Sequence, residues 1–272
     1  MRRIINLRPS TGSAVVLAAL PFLLLLAAYL VGSSVRLAAN PEDKLLPAFS
    51  TIGAAIKQYA VDSDPRTGEV MLWADTAASL VRLGWGLAIS AVLGLALGIV
   101  IGIIPYVRAG LSSFVAVLSL IPPLAVLPIL FIVFGLGELS KVVLIVIGIT
   151  PFMVRDLTLR VGEIPAEEII KAQTLGASSW TLVLRVVLPQ LLPRLLDALR
   201  LSLGSAWLFL IAAEAIAAEN GLGYRIFLIR RYLAMDVILP YVLWITLIAF
   251  ALDYLLRVVT RAAFPWYAGA GK

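Results

Sequence analysis

Glu167-Glu168-Ile169-Ile170-Lys171-Ala172-Gln173-Thr174-Leu175-Gly176-Ala177-Ser178-Ser179-Trp180, continuing to Val186-Val187-Leu188-Pro189, is a polar, glycine-punctuated segment set between long apolar runs. In a chain that crosses a membrane, such a segment between two spans is one shown to a soluble partner. Composition says that the chain does cross one. Of its 272 residues 61% are hydrophobic and 14% charged, and the mean hydropathy is +1.02. A soluble domain has about 45–50% apolar and about 25% charged residues, so one large soluble core does not fit.

The sequence contains no cysteine and no histidine. Disulfides, thiolate nucleophiles, Cys or His metal sites and histidine bases are therefore excluded. A net charge of +6 and a pI near 9.8 invite a nucleic-acid reading, but scattered Arg and Lys in a membrane protein serve to orient its spans.

A span needs about 20 mostly apolar residues to cross about 30 Å of hydrocarbon. Six segments qualify: 13–38, 76–104, 112–135, 138–156, 194–217 and 236–260. The first follows Arg2, Arg3 and Arg8 in the manner of a signal peptide. Its apolar run is longer than the 7–15 residues of a typical signal core, so a retained anchor is expected, although Ala38-Ala39 would permit cleavage. With the N-terminus in the cytoplasm, the inner side holds Arg2, Arg3, Arg8, Arg108, Arg155, Arg160, Lys171, Arg185, Arg194, Arg200, Arg257, Arg261 and Lys272. That is 13 of the 22 basic residues, and it satisfies the positive-inside rule with both termini cytoplasmic. The implied organisation is a cytoplasmic N-terminus and first span over 1–38 and an external segment over 39–75. A core of five spans over 76–260 follows, containing a cytoplasmic loop at 157–193, then a tail over 261–272. Residues 50–60 have helical spacing and are expected at the outer interface. Asp75 belongs to the external segment in this reading.

Small residues recur every four positions in the second span, at Gly86, Ser90, Gly94, Gly98 and Gly102. They line one helix face and allow close helix approach, either within the chain or toward another subunit. Pro122, Pro123 and Pro128 mark the third span as kinked, which suits either a cavity-lining helix or ordinary packing. In the loop, Pro165 and the acidic pair Glu167 and Glu168 suit the first turn of a helix. Gly176 supplies the freedom to end it, Ser178 or Ser179 caps the next helix, and Pro189 is expected to stop that one. The loop thus reads as two short helices joined at a glycine, a shaped knob.

The spacing Ala172-x3-Gly176-x9-Val186-x-Leu188-Pro189 resembles the EAA loop of bacterial ABC importer permeases. Leu45-Leu46-Pro47, Pro122-Pro123-Leu124-Ala125, Gly135-Leu136-Gly137-Glu138 and Ala213-Glu214 with Gly221-Leu222-Gly223-Tyr224 are similar to the nitrate/sulfonate/taurine branch. Ile170 stands at the motif's glutamate and Lys171 at its first alanine. The resemblance implies an all-α membrane protein of six transmembrane helices in the type I importer permease fold, with a coupling helix between helices four and five. It implies docking through Glu167, Glu168, Ala172, Leu175, Gly176, Ala177, Ser178, Leu188 and Pro189 onto an ABC ATPase. Two ATPases, a second permease copy and a periplasmic or lipid-anchored binding protein would complete the importer. ATP and Mg2+ would sit in the ATPases; this chain, which lacks a Gly-x4-Gly-Lys-Ser/Thr loop, would bind no cofactor and no nucleic acid.

The expected cargo is a small polar solute of the nitrate, sulfonate or taurine kind. The run 230–240, with Arg230-Arg231-Tyr232, weakly suggests urea or guanidine as an alternative. Glu214, Pro122, Pro123 and Trp207 are expected along the pathway. Glu214 has a second reading as the structural partner of a cation such as Arg82, and Trp207 and Phe209 have one as packing residues. External Arg225, Arg230 and Arg231 would attract an anion, meet a binding protein or anchor at the interface. The rival classes are a secondary transporter or channel, for which only Glu214 offers a mid-membrane ionisable group, and an intramembrane enzyme built without His or Cys.

Overall fold

A computed structural model describes residues 9–65 and 67–269. Arg2, Arg3, Arg8 and Lys272 of the charge count lie outside the described residues. The rest is helical throughout: α1 (Thr11–Ala39), α2 (Phe49–Ala60), α3 (Met71–Ile103), α4 (Pro105–Leu118), α5 (Pro123–Phe134), α6 (Glu138–Gly162), α7 (Ala166–Thr174), α8 (Ser179–Leu182), α9 (Leu188–Ala217), α10 (Leu222–Ile229), α11 (Met235–Ala263) and α12 (Pro265–Gly269). Five helical stretches are long and apolar enough to cross a membrane, and the bent pair α4 and α5 makes a sixth when taken as one span.

The centre of the bundle is α3 against α6, with α9 packed beside them. The small-residue face of α3 makes this possible. A Cβ on Gly86 would lie 2.6 Å from Ile145 Cγ2, one on Gly98 2.7 Å from Leu157 Cβ, and one on Gly102 2.5 Å from Val161 Cβ. A Cβ on Gly94 would lie 3.0 Å from Met153 Cβ, and Ser90 is buried in the same row. The stripe therefore faces α6 of the same chain. Inserting a side chain there forces two apolar backbones apart, at a cost of about 1–3 kcal/mol. Gly102→Leu is expected to lower the unfolding temperature of the detergent-purified protein by several degrees. An unchanged temperature would mean that the two helices are not held at this spacing.

Several sequence boundaries shift for identifiable reasons. The second span starts at Met71 rather than 76, so Asp75 is not in a loop but inside α3 and buried. It is tolerated there because Arg225 Nε donates to it at 2.8 Å and the Gly221 amide at 2.9 Å. The fourth span continues past 156 to Gly162. The third span is not one kinked helix but two, α4 and α5, at 92° to each other. Pro122 and Pro123 withdraw two successive backbone donors, and the extended backbone of Pro122 turns the chain. Pro189 does not stop its helix. A π-turn over Val183–Val187 precedes it, and the Leu188 amide donates to the Val183 carbonyl. The wider turn takes up the register change before the proline, so α8 runs on into α9.

α1 leaves nearly all of its apolar surface uncovered. It is tied to the chain through the Leu45-Leu46-Pro47 segment: Tyr29 Oη donates to the Pro47 carbonyl at 2.7 Å and Ser33 Oγ to the Leu46 carbonyl at 2.9 Å.

Candidate functional site

Two constellations stand at opposite ends of the bundle. The first is the knob formed by α7 and α8. Glu167 and Glu168 occupy the first turn of α7, where the helix dipole favours negative charge. The helix ends in a Schellman motif: the Gly176 amide donates to the Gln173 carbonyl at 2.9 Å, and the Ala177 amide to the Ala172 carbonyl at 3.0 Å. That closure needs a left-handed residue, and Gly176 has φ +81°. Ser178 then caps α8, its Oγ accepting from the Thr181 amide at 3.2 Å. Gln190 Nε2 donates to Glu168 Oε2 at 2.8 Å, tying α7 to the first turn of α9. Ala172 and Leu188 pack against the core, while Leu182 and Val187 are fully inside it. The knob is thus braced from below.

Its outer surface exposes three large apolar side chains among polar ones. Ile170 is 56% exposed, Leu175 81% and Trp180 70%. A cluster of large apolar side chains on a solvent-facing knob is the mark of an interaction surface. Ile170 and Trp180 are not among the docking residues that the resemblance implies. Ile170 reads in the sequence only as a departure from a motif, and Trp180 only as the end of the quoted stretch. Just behind the knob, Arg194 pairs with Glu163. Hydrogen bonding to Arg194, and then to Arg160, holds the Glu163 carboxyl below the usual glutamate range.

The second constellation is a buried ionic cluster at the far end. Asp75, Ser79 and Arg82 lie on one face of α3 at helical spacing. Glu214 of α9 is completely buried. Ser79 Oγ donates to it at 2.8 Å, Arg82 Nη1 at 2.7 Å and the Gly223 amide at 2.8 Å. Arg82 continues outward to Glu138, with Nε 2.5 Å from Oε2, and to Asn220 Oδ1 at 2.5 Å. Lys141 Nζ reaches the same Glu138 at 3.0 Å. The amides of Gly221, Leu222 and Gly223 are taken by Asp75, Ser79 and Glu214 in turn. The start of α10 is thereby clamped onto α3. Glu214 is the buried ion-pair partner of Arg82, and both of its oxygens are hydrogen-bonded inside the protein. Of the other pathway candidates, Trp207 is buried, and its Nε1 has no hydrogen-bond partner among the described residues. It sits in the hydrophobic core, as does Phe209, which presses on Gly148. Pro122 and Pro123 form the bend between α4 and α5.

Comparison with known proteins agrees with this architecture. Residues 91–267 match the family model described as binding-protein-dependent transport system inner membrane component. The taurine transport system permease protein TauC of Escherichia coli is 38% identical over 199 residues, covering 73% of this chain and 72% of that protein. The nitrate import permease protein NrtB of Synechococcus elongatus is 30% identical, covering 69% of this chain and 68% of that one. Among solved structures, a chain of the MetNI methionine ABC transporter in an inward-facing conformation superposes with a TM-score of 0.55 at 25% identity. The match covers 70% of this chain and 94% of that one.

Proposed function

This chain belongs to the family of binding-protein-dependent transport system inner membrane components, and from that premise we propose how its parts work. It is the permease subunit of an ATP-driven importer and a multi-pass inner-membrane protein. The knob is the coupling element. Its exposed Ile170, Leu175 and Trp180 enter a groove on an ABC ATPase, and the acidic first turn of α7 flanks that contact. The large apolar side chains exposed on the knob are the observation that carries this reading. Two permease copies form the pathway and two ATPases bind below them, holding the ATP and Mg2+. A soluble binding protein delivers solute to the far end of the bundle, and both termini lie in the cytoplasm. Closure of the ATPase pair moves the knob, and the bundle exchanges inward-open and outward-open states with different affinity for the solute. The bend at Pro122 and Pro123 belongs to the moving pathway.

The cargo is a small polar solute of the nitrate, sulfonate or taurine kind. The similarity to a taurine permease and a nitrate permease supports this. The urea or guanidine alternative, which rested on the run 230–240, finds no support among these relatives and is set aside. Family membership also displaces the secondary transporter, channel and intramembrane enzyme readings.

Gly176 provides the test. A Cβ there would meet nothing within 4 Å, so Gly176→Val adds backbone strain without a clash. Holding a β-branched residue at φ +81° costs about 1–3 kcal/mol, and the Schellman closure opens instead. In proteoliposomes containing the ATPase and binding protein, taurine uptake by the variant is expected to fall about tenfold or more. Insertion should be retained, and the unfolding temperature should fall by no more than several degrees. Normal uptake would remove Gly176 from the coupling role.

A further inference from the structure

At the knob end, α6, α9, α11 and α12 line an open cleft of about 780 Å³. Arg160, Arg194, Arg200, Arg257 and Arg261 line it, against Asp156 and Asp197. The carboxylates are shared unevenly. Arg160 lies 3.4 Å from Asp156 and 3.2 Å from Glu163. Arg200 bridges Asp197 at 3.2 Å and Asp253 at 3.0 Å. Arg257 takes Asp253 at 2.7 Å, and Arg194 takes Glu163. The second oxygen of Asp197 accepts from Tyr267 Oη at 2.8 Å. Five guanidiniums therefore face four carboxylates, and among the described residues Arg261 has no ion-pair partner. A guanidinium carries five donors in a rigid fork suited to planar and tetrahedral oxyanions. The pairs just described use only part of that supply.

This cleft is not isolated. A second one of about 360 Å³ shares Asp156, Ala198 and Leu201 with it and continues along α6 and α9 past Phe152, Ser202 and Ser205. Ionisable and hydroxyl groups on the outer face of two membrane-spanning helices are costly against lipid; such a face turns to water or to protein. The cleft thus runs from membrane depth down to the arginines.

We propose that the arginine-lined cleft binds an oxyanion group, with Arg261 as its principal ligand and the spare donors of Arg194 and Arg257 completing the site. Two sources share this chemistry: a sulfonate- or nitrate-type solute leaving the cleft, and the phosphate of an anionic phospholipid. The site stands apart from the coupling reading, since it needs neither ATPase nor binding protein to fill.

The test uses the full-length permease alone, in phosphatidylcholine nanodiscs, with sulfate as the probe and ionic strength held constant with chloride. Sulfate is expected to raise the unfolding temperature saturably, with half-maximal concentration about tenfold higher in Arg261→Gln, the loss of one charge-assisted hydrogen bond. Lys57→Gln removes the same charge from exposed α2 at the far end and should behave as wild type. If sulfate acts in phosphatidylcholine, the free anion is a ligand. If only phosphatidylglycerol stabilises wild type over Arg261→Gln, the lipid phosphate is the ligand. Equal responses of wild type and Arg261→Gln to both sulfate and phosphatidylglycerol overturn the site. That result would leave the importer reading untouched, just as failure to bind an ATPase would leave this site untouched.

Discussion

Gly221→Ala is expected to eliminate most folded protein. Gly221 has φ +117°, a backbone region that L residues rarely enter. A Cβ there would lie 2.6 Å from Cδ and Oε1 of Glu214 and 2.7 Å from Nη1 of Arg82. Side-chain ends normally swing aside, but these two are pinned. Glu214 is held by Ser79 and the Gly223 amide, and Arg82 by Glu138 and Asn220. Making room means parting a buried ion pair, which costs about 3–5 kcal/mol, in addition to about 1–3 kcal/mol of backbone strain. Typical domains have about 5–15 kcal/mol in total. The readout is the yield of monodisperse protein after extraction, together with its unfolding temperature. Gly84→Ala is the control, since a Cβ at Gly84 meets nothing within 4 Å, and it should be near wild type. Wild-type yield and stability from Gly221→Ala would show that the clamp between α3 and α10 is not as tight as described.

The second large effect belongs to the knob. Leu175 and Trp180 face solvent, so replacing both by aspartate removes no internal packing and should change the permease's own stability by no more than about 0.5 kcal/mol. Covered by a partner, each large apolar side chain contributes about 1.5–3 kcal/mol. The double variant loses both contributions and places two charges in the interface. Affinity for the ATPase is expected to fall about a hundredfold or more. Loss of binding without loss of folding separates a docking surface from a structural element.

The apolar runs made the spans legible, because about 20 residues without charge have few other uses. The end of α7 at Gly176 was legible for a local reason: a polar helix followed by glycine and serine is both a stop and a start signal. What escaped was long-range or compensated. Asp75 looked like a loop residue because an unpaired carboxylate does not belong in a span. Its partner Arg225 is 150 positions away. For Glu214 the sequence left a pathway role and a pairing with Arg82 both open, and the contact across 132 positions shows the pairing. Pro189 looked like a stop because sequence rules treat a helix as α throughout, whereas a π-turn precedes the proline. The break in the third span was underestimated, since adjacent prolines signal a bend but not its angle. The outward direction of Trp180 has no signal in its local sequence.

Coupling is the central claim, and one measurement bears on it most directly. Co-expressed ATPase is captured on immobilised permease, wild type and Leu175→Asp/Trp180→Asp side by side, and the bound fraction is titrated. Retention by wild type and about a hundredfold weaker retention by the variant, with both unfolding at the same temperature, is the expected result. Equal retention by the two, or no retention by either, would contradict docking through the knob.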